Sequence, residues 1–372
     1  VFGYLAADGQ LGHRGEVRSV AWSPDGALIV TASGDGTVRV WESATGIELY
    51  VLYGFSADLQ DADWSPDGNC LLTTAGLDAR IWDVSDRPLR LVGHEELACM
   101  ALWSPDGARI VTTGCLDGTT RIWDADTGRG LVTTGLELYP AFIDWSPEGD
   151  RFVNGYSDGT VRIYEASTGA EVARFAGHTG QVCDLAWSPD GTRIVSTSLD
   201  RTARVWDAVT GEELTVFRGH DQGETEGWAF TDCPSWSPLG DRVVTGGTDT
   251  VARIWDPETG KELLSFPGHA DIVIGTSWSP DGARIVTSSH DGVPRVWDAG
   301  TGRLLVELPR HTTWPSLAVT PDSRRLLTST DGAVRVWALD LDDLVDMAQS
   351  LVGRELTPAE CERYGIEVPS DR

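Results

Sequence analysis

GHTGQVCDLAWSPDGTRIVSTSLDRTARVWDAVTGEELTVF, residues 177–217, is the stretch whose reading decides the fold. Four short runs rich in β-branched and aromatic residues (182–187, 193–196, 203–207 and 213–217) are separated by Ser188-Pro189-Asp190-Gly191, Leu199-Asp200-Arg201 and Thr210-Gly211. Pro-Asp-Gly, Asp and Thr-Gly form turns, so the stretch reads as one four-stranded antiparallel meander. The unit recurs along the chain. A Trp or Tyr closes its third run at Trp41, Trp82, Trp123, Tyr164, Trp206, Trp255, Trp297 and Trp337, with spacings of 41, 41, 41, 42, 49, 42 and 40 residues. A period near 40 with this punctuation predicts a closed ring of eight repeated sheets. Rings of this kind present surfaces more often than they do chemistry.

Gly177-His178, Trp187, Asp200 and Val205-Trp206-Asp207 together resemble the WD40 repeat, and the resemblance covers about nine tenths of the chain. It implies an all-β, eight-bladed propeller over residues 1–340. In each blade a His before the first strand, a Ser or Thr on the second, an Asp in the next turn and a Trp on the third would form a hydrogen-bonded lock. The implied sets are His13, Thr31, Asp35, Trp41; His94, Thr113, Asp117, Trp123; His178, Ser196, Asp200, Trp206; His220, Thr245, Asp249, Trp255; and His269, Thr287, Asp291, Trp297. A His-Asp-Ser grouping also describes a hydrolase triad. Here it recurs blade after blade and leads to a Trp, so a structural role is expected and no residue is assigned to catalysis. Trp22, Trp64, Trp103, Trp145, Trp187, Trp236 and Trp278 recur on the first strand and are expected to pack between blades.

The eighth repeat departs after Trp337, where neither a Thr-Gly turn nor a fourth strand follows. Val1–Ala6, just before the first repeat, is expected to supply that strand and close the ring, which would remove an open edge. Residues 341–372 read as a helical tail. Leu341, Leu344, Val345, Ala348, Leu351 and Val352 fall at helical spacing behind Asp340 as N-cap, and Thr357-Pro358-Ala359-Glu360 is a capping box. The tail looks like the segment that follows WD40 arrays in large bacterial signalling ATPases. It is expected to pack on or beside the propeller or to dock an upstream domain.

The chain has 372 residues and a net charge of −28, from 57 acids against 29 Lys and Arg. About half of that excess sits at repeat positions such as Asp25, Asp35 and Asp83, offset by the Arg two residues before each aromatic. The remainder reads as solvated acidic surface, and its field disfavours nucleic acid. No apolar run approaches the roughly 18–20 residues of a membrane span. Six cysteines without paired spacing read as thiols of a reducing cytoplasm, and no metal or cofactor is expected. The single Lys, Lys261, suits a GC-rich bacterial genome, and a start at Val1 suits a piece of a longer polypeptide.

Where copies deviate, folding no longer explains the residue. Phe55 replaces the blade 2 His. Blade 4 reads Leu138-Tyr139-Pro140-Ala141-Phe142, with Asn154 for Ser/Thr and Tyr164 for Trp. Blade 6 is seven residues longer between His220 and Trp236, in a segment containing Glu224, Glu226, Trp228, Phe230 and Asp232, and blade 8 places Trp314 after His311. All these fall on the face that carries the His loops, the top. Phe55, Tyr139, Phe142, Glu224, Glu226, Trp228, Phe230 and Trp314 are therefore the candidate contacts for a protein or peptide ligand, aromatic with an acidic fringe. Phe55 and Tyr139 could equally fill the vacant His pockets. His290, on a top turn, reads as a solvated turn residue.

The function expected is a non-catalytic interaction or sensor module, C-terminal to the upstream domains of a bacterial signalling regulator. In signalling ATPases of the kind that the tail resembles (STAND-type NTPases), propellers bind the trigger and restrain the nucleotide-binding core. The chain itself contains no GxxxxGK[ST] phosphate loop. A stand-alone assembly scaffold or the sensor of a kinase is the alternative, and a propeller enzyme with a metal at the channel mouth is a third.

Overall fold

The computed structural model describes residues 12–53, 55, 59–83, 89–95, 98–114, 117–135, 140–220, 234–311, 316–329 and 334–339. Within these lie eight antiparallel sheets, at 17–52, 59–91, 98–135, 140–176, 182–217, 235–266, 273–307 and 317–338. The first seven have four strands each, in chain order from inside to outside, and the eighth shows three among the described residues. Blade 5 is representative, with strands Val182–Trp187, Arg193–Ser198, Ala203–Asp207 and Glu213–Phe217.

Turn chemistry sets the meander. Ser188 Oγ–H donates to Asp190 Oδ1 (2.6 Å) while accepting from the Arg193 N–H (2.9 Å), which ties off the first hairpin. Gly191 takes φ +69°, a left-handed conformation that a side chain resists. Burial then follows position in the ring. In blade 5 the second strand is buried at five successive residues because a neighbouring sheet covers each of its faces, whereas the outermost strand begins exposed.

The core is a set of wedges between sheets. Eight apolar clusters are found among the described residues, one at each blade-to-blade interface. The cluster of Val17, Val20, Trp22, Ile29, Leu327 and Val336 joins blade 8 to blade 1 and so closes the circle. Two hydrogen bonds fasten the same seam: Trp22 Nε1–H to the Ala318 carbonyl (3.1 Å) and Ser316 Oγ–H to the Arg18 carbonyl (2.8 Å). The expected contribution of Val1–Ala6 to blade 8, and the helical tail, lie outside the described residues.

Candidate functional site

The locks fix the top face. In blade 1, Trp41 Nε1–H donates to Thr31 Oγ1 (3.0 Å), and Thr31 Oγ1 lies 2.7 Å from His13 Nε2. His13 Nδ1 lies 3.1 Å from Asp35 Oδ2. Because the Trp can only donate, the threonine hydroxyl proton goes to Nε2 and Nδ1–H goes to the carboxylate. The histidine is thus neutral, and burial lowers its pKa despite the attraction of Asp35. Burial would raise the Asp35 pKa, but bonds from Thr37, the Arg14 N–H and His13 outweigh it and hold the carboxyl at about 2. The same chain runs through His178, Ser196, Asp200 and Trp206, and through His269, Thr287, Asp291 and Trp297.

Two of the expected locks are corrected. In blade 3 the hydroxyl is that of Thr112, which receives the Trp123 Nε1–H (2.9 Å) and sits 2.7 Å from His94 Nε2, and not that of Thr113. Register explains it: Thr112 lies opposite Arg121 as Thr31 lies opposite Arg39, while Thr113 is on the other face of the pleat. Thr113 Oγ1 is buried without a hydrogen-bond partner. In blade 6, His220 reaches Thr245 (2.9 Å) and Asp249 (3.1 Å), but the Trp255 Nε1–H is buried without a partner. Its ring instead stacks on Phe217 at 5.1 Å, and Arg253 Nη1–H adds a second donor to Asp249 (2.5 Å). The cysteines are corrected as well. Cys70 and Cys183 are thiols, but Cys99 is disulfide-bonded.

The deviating blades refill their vacant slots. Phe55 packs against Trp82 at 5.3 Å and lies under the Arg80 guanidinium at 4.9 Å, and it borders the core shared by blades 1 and 2. In blade 4, Asn154 Nδ2–H donates to Thr120 Oγ1 (2.7 Å) and to Tyr156 Oη (3.1 Å), and Tyr156 Oη lies 2.8 Å from Tyr164 Oη. Burial raises the pKa of both phenols, so they remain neutral donors. Tyr156, at the end of the second strand, does the work of the missing histidine. Sequence reasoning passed over it, although an aromatic at that position in a blade with neither the Gly nor the His was the available signal.

Phe142 stands elsewhere, on the inner strand of blade 4. It lines a cavity of about 810 Å³ together with Arg18, Ser19, Asp61, Gly275, Ser288 and Ser316. Inner strands from blades 1, 2, 4, 7 and 8 can meet only round the axis, so the cavity is the upper part of the central channel. Its walls are unequal. Blades 7 and 8 contribute glycine and hydroxyls, blade 1 adds Glu16, Arg18 and Ser19, and blade 2 adds Asp61; Asp63, Asp144 and Asp184 lie on the inner strands of blades 2, 4 and 5 but do not line the cavity. Burial raises the Asp61 pKa against bonds from Ser19 Oγ–H (2.6 Å) and the Ala62 N–H (2.9 Å). Asp63, two residues on and on the same face, is pushed up to about 6 by burial and then by the charge of Asp61. Burial also lifts Asp144 to about 6, although it accepts from the N–H groups of Trp145 and of Trp187 in the next blade, both at 2.9 Å. Part of the acidic excess expected to be solvated is therefore half-buried near the axis. An acid three or one residues before the first-strand Trp, where other blades carry small or apolar residues, was the sequence signal.

Tyr139, Glu224, Glu226, Trp228, Phe230 and Trp314 lie outside the described residues. His290 is on the blade 7 top turn, where its N–H donates to the Ile272 carbonyl (2.9 Å). Among the described residues no three His, Cys, Asp or Glu side chains gather as a metal site, and no helix is long and apolar enough to cross a membrane.

Fold and site together define an eight-bladed propeller whose polar networks hold the frame. Segments 9–42, 46–83, 87–124, 141–165, 169–207, 211–256, 260–298 and 302–338 each match the WD domain, G-beta repeat family. The chain belongs to the WD40 family, whose propellers generally serve as non-catalytic scaffolds that bind protein partners. It is 35% identical over 107 residues to nuclear distribution protein PAC1-2 of Uncinocarpus reesii, covering 25% of this chain and 23% of that protein. It is 26% identical over 133 residues to WD repeat-containing protein 1 of Xenopus tropicalis, covering 34% and 22%. A 39-residue stretch is 56% identical to ribosome biogenesis protein erb1 of Aspergillus niger, covering 10% and 5%. The chain thus spans less than a quarter of each of these relatives. Among solved structures, the computationally designed Ika8 protein superimposes with a TM-score of 0.74 at 26% identity, covering 88% of this chain and 98% of that one.

Proposed function

We propose that the chain is a sensor or scaffold module that captures a protein or peptide at the top of the ring, within a larger cytoplasmic signalling regulator of bacterial type. The observation that carries this reading is the axial cavity, with Phe142 and Asp61 on one side and hydroxyls together with Glu16 and Arg18 on the other. An aromatic surface beside half-buried carboxylates suits a segment bearing Arg or Lys. The His and Asp pairs that could serve catalysis are committed to the locks, which favours binding over turnover. The inserted loop of blade 6, with Trp228 and Phe230, belongs to the same proposed rim.

The test is capture of partners from the native host by wild type and by Trp228→Ala with Phe230→Ala. The double variant is expected to keep its circular dichroism and melting temperature but to lose the specific partner. If it retained that partner at wild-type level, the top-face reading would fall. The isolated chain is expected to show no ATPase activity.

A further inference from the structure

The bottom face carries an independent feature. In blades 1, 2, 3, 5 and 7 the first turn reads Ser-Pro-Asp-Gly, and its Asp accepts from the turn's own Ser, as Asp25 does from Ser23 and Asp190 from Ser188. Blade 6 reads Ser237-Pro238-Leu239-Gly240-Asp241, and the cap moves two residues on: Ser237 Oγ–H donates to Asp241 Oδ1 at 2.7 Å. Blade 4 makes the same shift, from Ser146 to Asp150 (2.9 Å), but puts Glu148 at the vacated position. The turn therefore does not require a leucine. Leu239 is nevertheless 87% exposed, the highest value among the large apolar side chains described.

Leu239 borders a cavity of about 400 Å³ between blades 5 and 6, with Leu263 and Pro257 on its apolar side and Asp241, Asp256 and Glu258 around it. Of the two arginines there, Arg193 is occupied internally, donating to the Gly240 carbonyl (2.7 Å) and covering the Trp236 ring at 4.9 Å. Arg242 stands 3.8 Å from Asp241. Three carboxylates against the two guanidiniums leave the groove net negative, on a chain whose net charge is −28.

We infer that this groove is a second docking site, on the face opposite the channel mouth, for a peptide segment carrying an aliphatic side chain next to Arg or Lys. The aliphatic group would lie against Leu239 and Leu263, and the cation would meet Asp256 and Glu258. Exposed leucine without a folding duty is what a docking anchor requires, and the acidic rim selects the flanking charge.

The experiment is methyl NMR of leucine-labelled protein titrated with three capped peptides: acetyl-Leu-Arg-Arg-amide, acetyl-Leu-Glu-Glu-amide and acetyl-Ser-Arg-Arg-amide. The first is expected to shift the Leu239 and Leu263 methyls saturably at millimolar concentration, and the other two to bind about tenfold more weakly. Leu239→Asp is expected to weaken the first peptide by about tenfold as well. This variant restores the Ser-Pro-Asp-Gly turn of five other blades, so loss of binding would not reflect loss of fold. Glu258→Gln and added salt should each weaken binding a fewfold. No saturable shift, equal binding of the acidic peptide, or binding unchanged in Leu239→Asp would overturn the inference. Since the rim aromatics of blade 6 are not involved, Trp228→Ala with Phe230→Ala should leave this titration unaltered.

Discussion

Asp63→Asn is expected to stabilise the protein, and to do so only where the carboxyl is ionised. The folded-state pKa of about 6 lies above the ordinary 3.8, so the native state holds its proton more tightly than the unfolded chain does. The sign follows directly. Stability contributed by the protonated form is present at low pH and is lost as pH rises through the window from about 3.8 to about 6. Above that window the cost is roughly two pKa units at about 1.4 kcal/mol each, about 3 kcal/mol. Near pH 4 it falls to about 0.5 kcal/mol. Asparagine keeps a carbonyl oxygen for the Trp64 N–H, which Asp63 now accepts at 2.8 Å, and removes the repulsion with Asp61. For a ring of this size the gain corresponds to a rise in Tm of about 4 °C. Thermal melts of wild type and variant near pH 8 and near pH 4 decide the matter. A gain of equal size at both pH values, or a loss near pH 8, would refute the assignment of Asp63 as a destabilising buried charge.

Thr112→Val orphans the Trp123 Nε1–H and the His94 ring and should cost about 2–4 kcal/mol, whereas Thr113→Val should be neutral or stabilising because its hydroxyl already lacks a partner. Urea unfolding of the two variants checks this, and equal losses would contradict the register. Tyr156→Phe removes the oxygen that links Asn154 to Tyr164 and should cost about 1–3 kcal/mol, read from the same transitions. Deleting residues 1–6 should lower the melting temperature and promote association through the third strand of blade 8, Val334–Ala338. An unchanged melt with a monodisperse profile on size exclusion would refute ring closure by the N-terminal segment.

The repeat was legible because folding demands the same answer eight times: Pro-Asp-Gly hairpins, a Trp on the inner strand and the His-to-Trp relay are each stated repeatedly, so one ambiguous copy is outvoted by the others. Errors arose where a single copy had to speak for itself. Thr112 and Thr113 are both hydroxyls, and only the pairing of Thr112 with Arg121 shows which one faces His94. Trp255 has the right residue type at the right spacing and stacks on Phe217 as Trp206 stacks on Phe175, yet its N–H is unpaired where that of Trp206 reaches Ser196. The Cys99 disulfide had no local spacing to announce it, and it removes one premise of the reducing-compartment argument.

The same logic separates frame from function. A residue shared by all blades answers to closure of the ring, as the eight apolar wedges do, and says little about ligands. Asp61, Asp63 and Asp144 do the reverse: they occur in particular blades, and burial makes them costly to ionise. Asp144 recovers part of that cost through the Trp187 N–H of the next blade, and Asp61 through Ser19 of the previous one. Among the described residues Asp63 accepts only from its own neighbour Trp64, and it carries the charge of Asp61 beside it. A carboxylate that weakens the ring where small or apolar residues serve in other blades is not explained by closure of the ring, and under the proposed function it would face a basic segment. The stabilising Asp63→Asn substitution is therefore also expected to be the one that weakens recognition of a basic segment at the axial mouth.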